Sequence, residues 1–238
     1  MALIDPLTAP APAVRSRHPG APTLRECWRA FWRRPSPPYL AGALVLAVAL
    51  RVVIGHWSWR DALVAVGIVV VTPFAEWAIH VYLLHARPLR LASRRFDLPT
   101  TSEHRAHHEA PAELDGVLIP VYGVLIFLAM IALTVWLLSF PIHVVIGGDR
   151  LAGAVAGLAI SYAILFAYEW THFLIHTPYR PRHRYFRAIW RNHRLHHYKS
   201  ERYWFGVTST LGDRVIGTMP DQRRVERSST ARSLHGDA

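Results

Sequence analysis

The 238-residue sequence has little of several residue types on which common functional sites depend. Cys27 is the only cysteine, which excludes a disulfide framework, a cysteine-ligated zinc finger and an iron–sulfur cluster. Lys199 is the only lysine among 27 basic residues, which argues against a lysine-rich tail that binds nucleic acid. Charged residues make up only 18% of the chain, compared with about 25% in an average soluble domain.

Hydrophobic residues and positive charge are both abundant. The chain is 52% hydrophobic with a mean hydropathy of +0.16, and its formal net charge is +11. A disordered basic protein would lack the apolar half. The two kinds of residue must therefore be segregated along the chain, and this predicts an integral membrane protein.

Four apolar segments are candidates for membrane-spanning helices. Residues 117–140 contain no charge, and at about 1.5 Å per residue such a helix would cross a hydrocarbon core of about 30 Å. The first segment contains Arg51 close to its end, where the side chain can extend to the interface, and Pro73 is expected to kink the second. The four predicted spans are 39–55, 62–85, 117–140 and 151–168, the last continuing as a helix to about residue 176.

The distribution of basic residues predicts the orientation of these spans. Two hairpins that turn at 56–61 and 141–150 place residues 1–38, 86–116 and 177–238 on one side of the membrane. Those segments hold 24 of the 27 basic residues, so this side is predicted to be cytoplasmic, with both termini on it. Because topology accounts for the positive charge, no nucleic acid partner is expected.

The flanking segments differ from the membrane region at 39–218. Residues 1–38 are predicted to form a mobile tail followed by an amphipathic helix at about 23–34, which Thr23 and Glu26 begin as a capping box. This helix either lies on anionic lipid or packs on the cytoplasmic part of the protein itself. Residues 219–238 are predicted to be a mobile C-terminal tail.

Ten of the fifteen histidines form four clusters, all on the predicted cytoplasmic side. Histidines three or four residues apart share a helix face and can present their imidazoles to one ion. The first pair is five residues apart, about 140° around an ideal helix, so its members bind different ions or the helix unwinds. Ten imidazoles supply two metal ions with four or five ligands each. The clusters are His80 and His85; His104, His107 and His108; His172 and His176; His193, His196 and His197.

A metal centre explains these clusters better than a purely structural role does. Burying so many imidazoles without a metal would leave costly unpaired polar groups. The isolated histidines are instead predicted to be polar caps or satisfied core residues. Imidazole alone does not identify the metal, since it suits zinc, copper, iron and nickel. The isolated histidines are His18, His56, His143, His183 and His235.

Glu76 and Glu169 are the only carboxylates within the predicted spans. They stand four and three residues before His80 and His172. Each is predicted to accept the second N–H of that histidine and so to fix the nitrogen offered to the metal. A structural salt bridge or a position at the interface is the alternative for each.

The order of the motifs carries a resemblance. The clusters read H-x4-H, H-x2-H-H, H-x3-H and H-x2-H-H, and WFGVTSTLGDRVIGT follows at 204–218. Over about residues 70–218 the chain resembles the fatty acid hydroxylase/sterol desaturase superfamily of integral-membrane non-haem di-iron enzymes, most closely its fatty acid hydroxylase branch. The resemblance implies an all-α fold in which four transmembrane helices carry a cytoplasmic helical cap.

The resemblance also implies roles for particular residues. The ten clustered histidines would be the ligands of two iron ions. Tyr168 and Glu169 match an aromatic–acid pair beside the active site, where the family often has aspartate as the acid. Asp213 and Arg214 match the closing motif of the family, which implies a structural role or a contact with the metal ligands.

The implied reaction is O2-dependent hydroxylation of a C–H bond in a fatty acid or fatty acyl lipid. The 38 residues before the first span are too few to enclose a haem, so electrons are expected from a separate carrier, a b-type cytochrome or a ferredoxin with its reductase. A sterol-type desaturase or methyl oxidase and a carotenoid hydroxylase are alternatives within the superfamily. A metal transporter is the alternative outside it, although a transporter would place its ligands near the bilayer midplane.

Overall fold

The computed structural model describes residues 21–91 and 94–234. Most of the predicted N-terminal tail, together with His18 and His235, lies outside the described residues. The described part is mainly helical, with one short antiparallel β-hairpin that the all-α prediction does not include. Its helices and strands are α1 (Leu24–Phe31), α2 (Ser36–Ile54), α3 (Trp59–Ile79), a π-helical turn (His80–Leu84), β1 (Leu89–Leu91), β2 (Arg94–Phe96), α4 (Pro99–Glu109), α5 (Val121–Ile146), α6 (Arg150–His176), α7 (Arg184–Tyr198) and α8 (Leu211–Ile216).

Four helical segments are long and apolar enough to cross a membrane, and each matches one predicted span. The second turn lies within the predicted range 141–150 but is shorter, because α5 continues through Pro141 to Ile146. The chain reverses at Gly147 and Gly148, whose positive φ angles of 69° and 92° suit glycine. The four segments are Ser36–Ile54, Trp59–Leu84, Leu114–Ile146 and Arg150–His176.

Local signals in the sequence account for the helix starts. Two prolines occupy the first turn of α2, where their missing N–H groups cost no hydrogen bond. Ser58 and Asp61 form a capping box at the start of α3. Asp149 caps α6 by accepting the N–H of Ala152 at 3.0 Å.

Helix α6 is the centre of the membrane bundle. It packs against α2, α3 and α5, and α2 contacts α6 far more than it contacts α3, its neighbour in sequence. Small buried residues such as Ala156 allow this close approach. The two turns at the far end of the bundle are joined, because Arg60 donates from Nε to the carbonyl of Ile146 at 2.7 Å.

Helix α1 has the predicted capping box but is packed on the protein. The Glu26 N–H donates to Thr23 Oγ1 at 3.3 Å, and the Thr23 N–H donates to Glu26 Oε2 at 2.8 Å. Phe31 is fully buried, with its ring centroid 5.3 Å from that of Trp170 on α6. Of the two arrangements open from the sequence, the structure therefore has this face of the helix packed on the protein, while Trp28 stays 38% exposed.

The segment after residue 218, which is predicted to be a mobile tail, contacts α4 and the loop after α7 in its described part. The Ser228 N–H donates to the carbonyl of Lys199 at 2.8 Å, and Thr230 Oγ1 donates to Glu201 at 2.6 Å. The carbonyl of Ala231 contacts His108 Nδ1 at 3.0 Å. This segment supplies partners that the buried Glu201 and His108 side chains need.

We expect Phe31→Ala to lower the free energy of unfolding by about 3 kcal/mol, because it removes a fully buried aromatic ring between α1 and α6. Denaturant titration of the protein in detergent micelles would measure the loss. Leu24→Ala, on the same helix but 49% exposed, is the control and should cost much less. Equal losses in the two variants would contradict the packing of α1 on α6.

Candidate metal centre

The structure brings all ten clustered histidines together as two groups of five. Within each group the candidate ligand nitrogens all lie within 4.8 Å of one another. His56, His143 and His183 belong to neither group. The first group is His80, His85, His104, His108 and His196; the second is His107, His172, His176, His193 and His197.

A π-helical turn resolves the awkward spacing of the first pair. The His85 N–H donates to the carbonyl of His80 at 3.0 Å, an i to i+5 bond that widens the helix at that point. The widened turn places two histidines five residues apart in the same group, with ring centroids 4.9 Å apart. Of the two possibilities open from the sequence, the structure has the local change of helix.

Helices α4 and α7 each divide their histidines between the groups. Adjacent residues point about 100° apart on an α-helix, so His107 and His108 face different groups, as do His196 and His197. Histidines four residues apart on these helices belong to the same group. His193 and His197 are an example, and their Nε2 atoms lie 3.0 Å apart. Each H-x2-H-H motif therefore serves both groups.

Backbone carbonyls orient several of the imidazoles. Such a contact through Nδ1 leaves Nε2 as the nitrogen available to a metal. These partners could not be predicted from the sequence, because every residue carries a carbonyl and only the fold decides which one is close. The contacts run from His80 to Phe205 (2.6 Å), from His108 to Ala231 (3.0 Å), from His176 to Pro111 (2.7 Å) and from His196 to Tyr203 (2.8 Å).

The remaining ring nitrogens fit a metal-binding role. Among the described residues, five histidines keep a buried Nε2 with no hydrogen-bond partner, and His107 lacks a partner at both nitrogens. Leaving so many buried polar atoms unpaired costs free energy unless something binds them. The five are His80, His104, His108, His172 and His176.

The protonation state of the imidazoles is also suitable. Burial lowers the pKa of His108 to about 3, and it lowers the pKa values of His104 and His197 well below their usual range. These side chains therefore stay neutral at pH 7. A neutral imidazole offers the lone pair that a metal ion requires.

Glu76 and Glu169 do not make the predicted contacts with His80 and His172. The backbone N–H groups of Val207 and Thr208 and the Thr208 hydroxyl all donate to Glu76. The two glutamates lie about one helix turn from the histidines, so the predicted pairings are feasible on an isolated helix. In the fold, however, the loop after α7 supplies closer donors to Glu76. Phe205, on that loop, takes the place of Glu76 as the partner of His80.

Glu169, on α6, is fully buried and contacts the segment that leads into α5. Its Oε2 accepts the N–H of Ile119 at 3.0 Å, while its Oε1 has no partner among the described residues. The residue before it, Tyr168, has its ring centroid 5.7 Å from that of His172. The aromatic–acid pair therefore lies beside the second histidine group.

Asp213 stabilises the loop that orients His80. Its carboxylate is fully buried and accepts the N–H groups of Phe205 at 3.0 Å and Gly206 at 2.8 Å. The side chains of Asn192 and Thr218 donate to it at 3.0 Å and 2.6 Å. Asp213 thus acts on the site through the backbone of the loop, whereas Arg214 is exposed.

An elongated cavity of about 750 Å³ leads from the histidines into the membrane bundle. It lies between α3, α5 and α6, and most of its lining is apolar. The inner end of the cavity is the end next to the histidines, and it is lined by Tyr168, Glu169 and His172. The opposite end is lined by Arg60 and Arg150. From His172 to Gly153 on α6 the distance is about 28 Å at 1.5 Å per residue, close to the thickness of a hydrocarbon core.

We expect each histidine group to hold its own metal ion. The double variant His193→Ala/His197→Ala should then lose one of two bound metal ions, and so should His85→Ala/His196→Ala, because each removes two ligands from one group only. Elemental analysis of the purified protein would measure the metal content. His183→Ala removes an exposed histidine outside both groups and should retain both ions. Loss of all metal or of none from the double variants would contradict two separate sites.

Comparisons with known proteins agree with this architecture. The chain is 23% identical over 166 residues to a protein of Arabidopsis thaliana named dihydroceramide fatty acyl 2-hydroxylase FAH2. The match covers 69% of this chain and 65% of that relative, so the chain spans less than two thirds of its length.

A solved structure titled full-length scs7p, in which only the hydroxylase domain is visible, has the same fold. It superposes with a TM-score of 0.63 at 22% identity, covering 81% of this chain and 68% of the other. The family model described as fatty acid hydroxylase matches residues 64–218, which include both histidine groups. The chain therefore belongs to the fatty acid hydroxylase family.

Proposed function

We propose that the chain is a membrane oxidoreductase that uses O2 to hydroxylate a C–H bond of a fatty acyl lipid at a centre of two non-haem iron ions. The observation that carries the proposal is the position of the two five-histidine groups at the inner end of a long apolar cavity. Family membership and the name of the Arabidopsis relative agree with it.

The donor set suits the proposed cofactor. The first histidine group would hold one iron ion and the second group the other. All ten ligands would be neutral imidazoles with no thiolate, and such a site is compatible with iron and can leave coordination positions open. When bound, the iron ions would supply the redox chemistry that activates O2.

The residues of the chain itself bind and orient the substrate. The apolar walls of the cavity accommodate the acyl chain and exclude water from the reacting carbon. Tyr168 and Glu169 lie at the polar inner end, and we propose that they contact the part of the lipid next to that carbon. In this orientation the methyl end of the acyl chain points toward Gly153 and the far end of the bundle. The oxidised carbon is then close to the polar group of the lipid, as the name of the relative specifies for its own reaction.

The orientation in the membrane follows from the charges. We propose that both termini and the helical cap are cytoplasmic, because 24 of the 27 basic residues lie on that side of the predicted topology. The histidine groups lie where the candidate spans end, and this favours an enzyme that draws its substrate from the lipid over a transporter with ligands at the midplane. Electrons then reach the site from a separate cytoplasmic carrier.

The reaction is tested by lipid mass spectrometry of cells with and without the protein. We expect a set of acyl lipids that are heavier by one oxygen, and we expect this set to disappear in the His172→Ala/His176→Ala variant. His183→Ala should leave it unchanged. Lipids that are unaltered by the wild-type protein, or products formed equally by the His172→Ala/His176→Ala variant, would contradict the proposal. Metal uptake by vesicles without lipid oxidation would indicate a transporter.

The cavity predicts where the length of the acyl chain is selected. Gly157 lines the cavity together with Val64 and Val135, and a Cβ atom at Gly157 would lie only 3.3 Å from side-chain carbons of both valines. A larger residue at position 157 would therefore narrow the cavity at this level. We expect Gly157→Leu to shift the hydroxylated lipids toward shorter acyl chains, as measured by the product spectrum. Gly42→Leu, at an exposed position on α2 with open space around it, is the control and should not shift the spectrum. An unchanged distribution in Gly157→Leu would show that the acyl chain lies elsewhere.

A further inference from the structure

Helix α7 has two opposite faces with different chemistry. Its inner face supplies His193, His196 and His197 to the two histidine groups. Its outer face carries four arginines at spacings of three, four and three residues, which place them within about 80° of one another and away from the histidines. These four residues, the arginine ridge, are Arg184, Arg187, Arg191 and Arg194.

The ridge lines a groove of about 1260 Å³ that also contains Arg180 and Arg214. Among the residues lining the groove, the one exposed carboxylate is that of Asp221. Within residues 21–91 and 94–234, none of the six arginines forms an ion pair. The groove is therefore a surface of uncompensated positive charge, which favours an acidic partner.

The reaction proposed above supplies a reason for such a partner. Hydroxylation converts one C–H bond into C–OH with one oxygen atom of O2 and releases the other oxygen atom as water. This takes up two electrons and two protons, and the protons come from solvent. Cys27 is the only cysteine in the sequence, so the chain has no dithiol of its own to supply the electrons. An iron ion would change its charge by one electron at a time, so a carrier that delivers single electrons suits a centre of two iron ions.

We propose that the arginine ridge is the docking surface for a small acidic protein that carries one electron at a time. This inference rests on the proposed function. A carrier on the outer face of α7 is separated from the histidines on its inner face by about one helix diameter, roughly 10–12 Å with side chains. The rate of electron transfer falls steeply with distance. A carrier on this face would be close enough to the histidines for rapid transfer. Charge complementarity would guide the encounter, and dissociation after each transfer allows a second carrier to bind.

The test measures binding directly, with the full chain in nanodiscs of neutral lipid. The probes are an acidic [2Fe–2S] ferredoxin and an acidic b-type cytochrome domain, each titrated at low and at high salt. We expect at least one probe to bind the wild-type chain and to weaken as salt rises. We expect Arg187→Glu/Arg191→Glu to weaken that binding at least about tenfold, because it reverses two exposed charges of the ridge.

The matched control is Arg25→Glu/Arg29→Glu, which makes the same change of charge at exposed positions of α1. It should bind the probe as the wild type does, and the metal content of both variants should equal that of the wild type. Equal binding by the two double variants, or failure of both probes to bind the wild-type chain, would overturn the proposal. If the arginine ridge contacts anionic lipid and not a carrier, the two double variants would bind the probe equally.

Product analysis separates this inference from the function on which it rests. If the wild-type chain forms hydroxylated lipid and Arg187→Glu/Arg191→Glu forms it equally fast at limiting carrier concentration, docking on the ridge is wrong and the proposed function stands. If the wild-type chain forms no hydroxylated lipid with any electron source, the proposed function is wrong, whatever the binding measurements show.

Discussion

Nine buried imidazoles and one half-buried imidazole meet in one place, and their ring nitrogens set the demands that the surrounding segments must meet. Each buried ring nitrogen needs a partner, and backbone carbonyls satisfy only some of them. Two metal ions would satisfy the others. The helices that carry the histidines must then be held in register, and neighbouring segments do so. Asp213 and Glu76 fix the loop next to His80, and the segment near Ala231 fixes His108.

The same constraint connects the centre to the membrane. Helix α6 passes through the middle of the bundle and ends in His172 and His176, so the site lies at the end of a candidate membrane span. Small residues on α6 bring its neighbours close, while the space between α3, α5 and α6 remains open as the cavity. A lipid chain in that cavity would reach the centre without leaving an apolar environment. Electrons, in contrast, would arrive from the opposite side, across α7.

Much of this architecture could be predicted from the sequence, because uncharged runs, arginine distribution and histidine spacing are local properties. The four spans and the assembly of the ten histidines follow from them. Contacts between distant segments could not be predicted. Glu76 and Glu169 lie at the correct helical spacing for the histidines, yet backbone N–H groups of other segments are closer. Nothing in the spacing of His80 and His85 decided between an unwound helix and two separate ions, and the π-helical turn became visible only in the fold.

If the two histidine groups hold two metal ions, every protein ligand is an imidazole nitrogen. X-ray absorption spectroscopy of the protein loaded with ferrous iron, combined with its iron content, tests this arrangement. We expect two iron ions per chain and a first coordination shell of imidazole nitrogen, with any oxygen coming from solvent. One iron ion per chain, or a shell that contains sulfur, would contradict it.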